Sequence, residues 1–461
     1  PSSEVGVASN GTYVALDAGE QLGNYQHIWQ KIVEESDQSA FDYKWDFENW
    51  TDDTGYLKVG LFQDSVERTF FQQTMSNKKP ATSINYELVG NWEDNLADLY
   101  VANSNTAVYS SFADIQYDGE QNLDAFYYML DLPVADYLTL RGGFRHEEFE
   151  LKTFLEPDNF DFARTLLPSG GLGLLNRVGD GYAQDADYSR KDQLPSFGFD
   201  LNPYDKVTFR FNYAETVAKQ QFKELVPIIQ RKYVGTDPFY GNPDLQASPV
   251  ANVDYRFDYT PYPGGLFSFS YFTKDIDDPI QYYKGQDDYG NTYTFVRNYP
   301  FAWVEGFEYE MRQDLSKFMS SLEGMKIGFN YTTIEGEVDL GNSEKSDVME
   351  MPESLYNLFL TYNFDVMDLR LGVFYTYKGD TLSAVKNTIG SPTPAEYNLG
   401  YGTLNMTLSA KLTESLKLSL KVKNLTNPDI ETVYREDGYE DALRRSYSAG
   451  REYSIGMSYT F

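Results

Sequence analysis

From residue 41 to the end of the chain, large apolar residues recur on every second position. At the C-terminus Tyr453, Ile455, Met457, Tyr459 and Phe461 alternate with Ser454, Gly456, Ser458 and Thr460. A period of two sends successive side chains to opposite faces, so this stretch predicts a strand with one oily and one polar side. About ten such residues, tilted, cross a bilayer core of roughly 30 Å. The alternation recurs from Phe41 to Phe47, from Gly55 to Phe71, and in a hairpin from Leu123 to Leu151. It continues through Val207, Phe209, Phe211 and Tyr213, and through Val253, Tyr255, Phe257 and Tyr259, which return as Phe267, Phe269 and Tyr271. The clearest hairpin joins Leu404 to Leu412 with Leu416 to Val422 across Thr413-Glu414-Ser415.

The connections follow a second rhythm. Tight turns are predicted within 131–136, at Asn202-Pro203-Tyr204-Asp205, at Pro261-Tyr262-Pro263-Gly264, between Asp314 and Glu323, at Asp365-Val366-Met367-Asp368 and at 413–415. Between them lie long polar segments near 76–116, 154–189, 219–248, 283–293, 339–350, 380–395 and 428–446. Short and long connections alternate, which gathers all short turns at one end of a meander and all long loops at the other, as in outer-membrane barrels. Residues 1–40 lack this pattern and read as a loop or poorly patterned segment, with Gln26 to Val33 as a short helix within it.

The polar faces carry Arg141, Arg210, Arg256, Arg370 and Lys421 in mid-strand. Such charges are costly inside a sandwich core but sit well in a wet lumen. An extracellular sandwich would share the alternation yet fits the hairpin spacing and strand lengths less well. The reading is therefore all-β: residues 41–461 form a transmembrane, antiparallel, up-and-down β-barrel segment of about fifteen strands.

Composition narrows the partners. Tyr (39) and Phe (31) are abundant, which suits interfacial girdles, and a net charge of −32 repels a phosphate backbone, so nucleic acid is excluded as a partner. Cysteine is absent, which removes disulfides and thiolate metal sites. No apolar run reaches 18 residues, and Pro1-Ser2-Ser3-Glu4-Val5 resembles no signal peptide, so the chain reads as mature or truncated.

Enzyme chemistry finds no foothold. His27 and His146 are far apart in sequence and lack motif context, and Ser169-Gly170-Gly171-Leu172-Gly173 lacks the Lys-Ser/Thr of a phosphate loop. No cofactor or resident metal is expected. The acidic clusters at 275–278, 287–288 and 436–441 offer oxygen ligands for Ca²⁺ but no EF-hand spacing, and read first as solvated loops.

Several short motifs together resemble the barrel of TonB-dependent outer-membrane receptors. They are Gly241-Asn242-Pro243-Asp244-Leu245 in a long loop, Asn424-Leu425-Thr426-Asn427 after a strand, and Gly450-Arg451-x-Tyr453 before the terminal Phe461. Phe272-x-Lys274-Asp275-Ile276, Gly142-Gly143-x-Arg145 and Gln193-Leu194-Pro195-Ser196 extend the likeness. Within the family the chain is most similar to the branch associated with carbohydrate uptake, though Ala218-Lys219-Gln220-Gln221-Phe222 departs from that branch's pattern.

The resemblance implies TonB-dependent active transport of a nutrient, an oligosaccharide or a metal chelate, across the bacterial outer membrane. It implies a barrel of about 22 strands filled by a plug, of which this chain lacks the plug and the first six or seven strands. The closing strand, Glu452 to Phe461, is then expected to have no partner on one side from this chain. The implied partners are outer-membrane lipid and lipopolysaccharide, the TonB complex acting through the plug, a surface lipoprotein and the nutrient itself. Candidate capture residues are the loop aromatics Phe160, Phe162, Tyr182, Tyr233, Phe239, Tyr240, Tyr282, Tyr283 and Tyr289, with Phe154 and Tyr293 beside them. Their rings stack on sugars or planar chelates, and rings near strand ends equally serve as girdle. The alternative reading is a passive porin of about sixteen strands formed by this chain alone.

Overall fold

The computed structural model describes residues 4–7, 13–16, 22–51, 53–78, 108–110, 116–156, 164–166, 172–174, 177–178, 181–182, 185–230, 237, 239–286, 292–341, 343–364, 368–387 and 392–460. Fifteen strands form one antiparallel wall. They are β1 (Leu22–Glu48), β2 (Thr54–Lys78), β3 (Gln116–Ala135), β4 (Leu138–Glu156), β5 (Ala186–Tyr204), β6 (Val207–Ala218), β7 (Ser248–Tyr259) and β8 (Leu266–Asp277). The wall continues as β9 (Phe301–Asp314), β10 (Met325–Gly341), β11 (Ser354–Phe364), β12 (Leu369–Lys378), β13 (Tyr401–Lys411), β14 (Leu416–Lys423) and β15 (Glu452–Tyr459). Each pairs with its sequence neighbour. Among the described residues, β1 pairs along its length only with β2, and β15 only with β14.

The short and long connections alternate as the sequence predicts, and the whole meander is up-and-down. Residues 22–40 depart from expectation: they are neither loop nor helix but the outer half of β1, paired with β2 at Leu22 and, after a register shift, rung for rung from Gln26. Both faces are exposed from Trp29 to Ala40. With water on each side nothing selects a period of two, and cross-strand pairing decides the conformation instead. The segment 76–116 lies mostly outside the described residues, as do 365–367 of the expected turn.

Directly opposed residues in an antiparallel pair share a face, so the register assigns the two sides. One rung runs Leu201, Phe209, Phe257, Phe269, Tyr309, Tyr331, Tyr356 and Tyr377 across eight strands. It starts beside a short turn and ends beside a long loop, which is the stagger of tilted strands. Phe209 packs tilted against Phe257 (ring centroids 4.9 Å), and Phe211 against Tyr255 (5.1 Å). This is the lipid-facing side.

The opposite face carries a chain of charges near the short-turn end. Arg141 bonds Asp131 (2.6 Å) and Asp200 (2.8 Å), and Arg210 bridges Asp200 and Asp258. Arg256 then joins Asp258 (2.9 Å) to Glu310 (3.2 Å), which holds Arg312. Asp200, Asp258 and Glu310 each meet two cations and Asp131 one, so the charges survive on a surface that no lipid touches.

Candidate functional site

Toward the long loops the lumen-facing side changes character. Phe70, Tyr117, Phe149, Leu151 and Leu155 share the parity of the charged residues below them, yet all are buried. The loop 219–247 folds inward and covers them with Phe222, Leu225, Val226, Ile228 and Leu245. Its anchor is a one-turn helix, Phe222–Leu225, closed by a reciprocal capping box between Gln221 and Glu224. Arg68 lies over the Phe222 ring (5.0 Å), and Lys219 lies over Phe149 (4.8 Å) while bonding Glu147 (2.6 Å). The apolar residues on the charged parity are the sequence signal for this covered patch, and the sequence reading did not use it.

The motif Gly241 to Leu245 is a clamp in this loop. The Gly241 N–H donates to the Val226 carbonyl (3.1 Å), and a Cβ at Gly241 would come within 2.3 Å of that oxygen. Asn242 closes a turn by accepting from the Asp244 N–H (3.0 Å) and donates to the Val296 carbonyl (3.3 Å). Leu245 is fully buried, and Pro243 and Asp244 complete the turn. Thus the motif holds loops together rather than presenting side chains to a ligand. The second motif pair works alike: Asn424, at φ +54°, donates to the Gly450 carbonyl (2.7 Å), and Arg451 Nε donates to the Leu425 carbonyl (2.8 Å). Phe461 lies outside the described residues.

Four of the nine candidate capture aromatics converge. Phe239–Tyr240 pairs with Thr292–Asn298, which pairs with Ile280–Gln286 and so brings in Tyr282 and Tyr283. Phe239 packs edge-on to Tyr282 (5.2 Å), and Tyr240 to Tyr293 (5.4 Å). Tyr282 donates to Glu224 Oε1 (2.5 Å), and burial, joined by the Glu224 charge, pushes its phenol up from 10. Burial likewise raises the Tyr283 phenol. These rings pack mainly against one another and the wall. Phe154, on β4, is exposed. Phe160, Phe162, Tyr233 and Tyr289 lie outside the described residues, and Tyr182 sits in the short strand Gly181–Tyr182 with its side chain outside them.

A second loop sheet comprises Thr381–Ala384, Ala395–Asn398, Asp429–Arg435 and Ala442–Ser448. It joins the first through the Val385 N–H, which donates to the Tyr282 carbonyl (2.9 Å), and through a cluster of four charges, of which Lys284 and Glu396 are buried and Asp237 and Arg444 half-buried. Lys284, only 8% exposed at its side chain, reaches Asp237 (2.9 Å) and Glu396 (3.7 Å), and Arg444 bonds both carboxylates. Burial holds the Lys284 amine below 10.5, with Asp237 opposing the shift. Nearby, Arg435 joins Asp380 (2.9 Å) and Asp441 (2.8 Å) and holds the Asp441 carboxyl below its ordinary value. Sequence reading missed this cluster because its members come from four separate loops. No metal-binding group of His, Asp or Glu side chains occurs among the described residues, and 287–288 lie outside them.

The comparisons agree with this architecture. The family model "TonB dependent receptor-like, beta-barrel" matches residues 4–425. Solved structures similar to the chain include the ferric-catecholate import receptor of E. coli, at 15% identity over 94% of this chain and 55% of that one, with TM-score 0.57. The ferric yersiniabactin uptake receptor of Yersinia pestis (14%, 94% and 55%, 0.58) and a ferric citrate transporter (11%, 96% and 56%, 0.59) are comparable. The chain thus spans a little over half the length of these receptors. With the wall, its two faces and its inward loops described, the chain belongs to the TonB-dependent receptor-like β-barrel family of outer-membrane proteins.

Proposed function

We propose that this chain supplies wall and mouth to a TonB-dependent importer, which takes an oligosaccharide or a metal chelate across the outer membrane. The observation that carries the reading is the loop layer: loops from four hairpins fold over the lumen and are tied by Lys284, Asp237, Glu396 and Arg444. Loops that only screen a pore have no need of buried charges holding them as one body. Capture at such a layer, occlusion by a plug and release by a TonB pull form a transport cycle with no catalytic step. Tyr283, which lies under Arg297 (4.8 Å), Tyr282 and Phe239 are candidate capture rings that belong to this layer. The oligosaccharide reading rests on the motif resemblance, and the chelate reading on the ferric chelates that the similar receptors import. A surface lipoprotein that hands ligand to the loops fits either cargo.

A self-closed porin would need β15 to pair with β1, and no described residue of either makes that pairing. The test is uptake by cells carrying the full-length receptor, fed labelled oligosaccharides and ferric chelates in parallel. Uptake abolished by a proton-gradient uncoupler supports the proposal and names the cargo; uptake indifferent to the uncoupler means a passive pore.

A further inference from the structure

In the loop sheet built on Ile280–Gln286 and Thr292–Asn298, Arg297 stands directly opposite Gln281. Tyr283, opposite Phe295, is its neighbour on one side, and Tyr299, whose N–H donates to the Pro279 carbonyl (2.9 Å), is its neighbour on the other. Residues two apart on a strand share a face, so both rings flank the guanidinium, at 4.8 Å and 4.5 Å. No acceptor completes the group. Arg297 Nε and the Tyr299 hydroxyl are buried without a hydrogen-bond partner among the described residues, and Gln281 turns its oxygen to the Met349 N–H (3.2 Å). Lys284, Arg444 and Arg435 in the same layer each hold carboxylates. Arg297 makes no ion pair among the described residues, in a chain with 70 acidic against 38 basic side chains.

We propose that Arg297, Tyr283 and Tyr299 form an anion site that takes a carboxylate of the imported molecule. A buried donor without an acceptor is costly, and a charged one more so, so two such donors side by side mark a place for an anion. Rings on either side cover the faces of the guanidinium and leave its edge, where a planar carboxylate binds through two parallel N–H···O bonds. Burial raises the Tyr283 and Tyr299 phenols, so each keeps its proton and can donate to the same anion. Arg297 as a whole is only half-buried, which leaves a path from solvent. The site rests on the importer reading above and narrows its cargo to acidic saccharides or carboxylate-bearing chelates.

The experiment is binding to the purified full-length receptor in detergent, with two matched pairs of probes: an oligogalacturonate against its methyl ester, and ferric citrate against a neutral ferric hydroxamate chelate. The expected result is a preference for the carboxylate probe in one pair, which names the source of the carboxylate. Arg297→Met should weaken that probe by about tenfold to a hundredfold, the size of a charge-assisted bidentate contact, and leave its neutral counterpart unchanged. Tyr299→Phe removes one donor while keeping the ring, and should weaken the same probe severalfold. Lys345→Met serves as the control, because it removes a cation whose carboxylate partner, Glu337, is already in place, and should bind like the parent. A preference in neither pair, or an Arg297→Met variant that weakens neutral and carboxylate probes alike, overturns the assignment. Carboxylate binding without proton-driven uptake overturns the importer reading and leaves the anion site standing.

Discussion

Gly119 and Phe222 share one space: a Cβ on Gly119 would lie 2.5 Å from the Phe222 ring. The glycine on β3 is the seat on which the inward loop rests, and both residues are buried. Gly119→Val should displace the helix at 222–225 and destabilise the loop layer by about 1–3 kcal/mol, the usual range for overpacking. Phe222→Ala empties the same seat and should cost about 3–5 kcal/mol. Because the two residues touch, the double variant should lose less than the sum of the singles. Limited proteolysis within 219–248 reads the effect, and strictly additive losses would show that the contact does not hold the loop.

The buried charges make a second prediction. Lys284→Met leaves Asp237 and Glu396 sharing Arg444 alone, and breaking a buried pair on one side typically costs about 3–5 kcal/mol. The loop sheets should then become protease-sensitive while the wall stays folded. A parent-like digestion pattern would mean that the cluster does not bind the loops together.

Lys284 also sets a pH dependence. Its amine is held below 10.5 in the folded layer and returns to 10.5 when the layer opens. Between those values the opened layer binds more protons, so this group's contribution to stability rises as pH climbs toward 10.5. Loop protection measured from pH 8 upward should therefore gain less with pH in Lys284→Met than in the parent; identical slopes refute the assignment.

The two faces can be told apart by one charge. Phe209 faces lipid two residues in from the start of β6, and Phe209→Arg should cost about 1–2 kcal/mol there, between the interfacial and midplane ranges, with proportionate loss of folding into vesicles. Thr208, its neighbour, faces the charged side, where its partner is Asp258. Thr208→Arg should insert normally. If both variants insert equally well, the assignment of the faces is wrong.

Arg210 links Asp200 to Asp258 across three strands. Its side chain is 44% exposed, so Arg210→Met is expected to cost only about 1–2 kcal/mol despite the near-buried Asp258. The denaturation temperature in detergent should fall by a few degrees, and no change would show that the neighbouring Arg256 suffices for Asp258.

What the sequence determined is what depends on neighbours along the chain. Period-two alternation of Phe209, Phe211 and Tyr213 against Arg210 and Asn212 places strands and both faces, because a strand's side chains alternate whatever lies beyond them. The order of short turns and long loops places the two ends of the wall. The tertiary structure decided the rest. Residues 22–40 became strand by pairing with β2, since water on both faces leaves no alternation to read. Phe149 and Leu151 lie on the wet parity, and only the arrival of Phe222 and Leu245 explains why they are dry. Arg444 and Asp237 stand 207 residues apart, and their pairing reflects desolvation under a folded layer, a long-range condition that no local pattern carries.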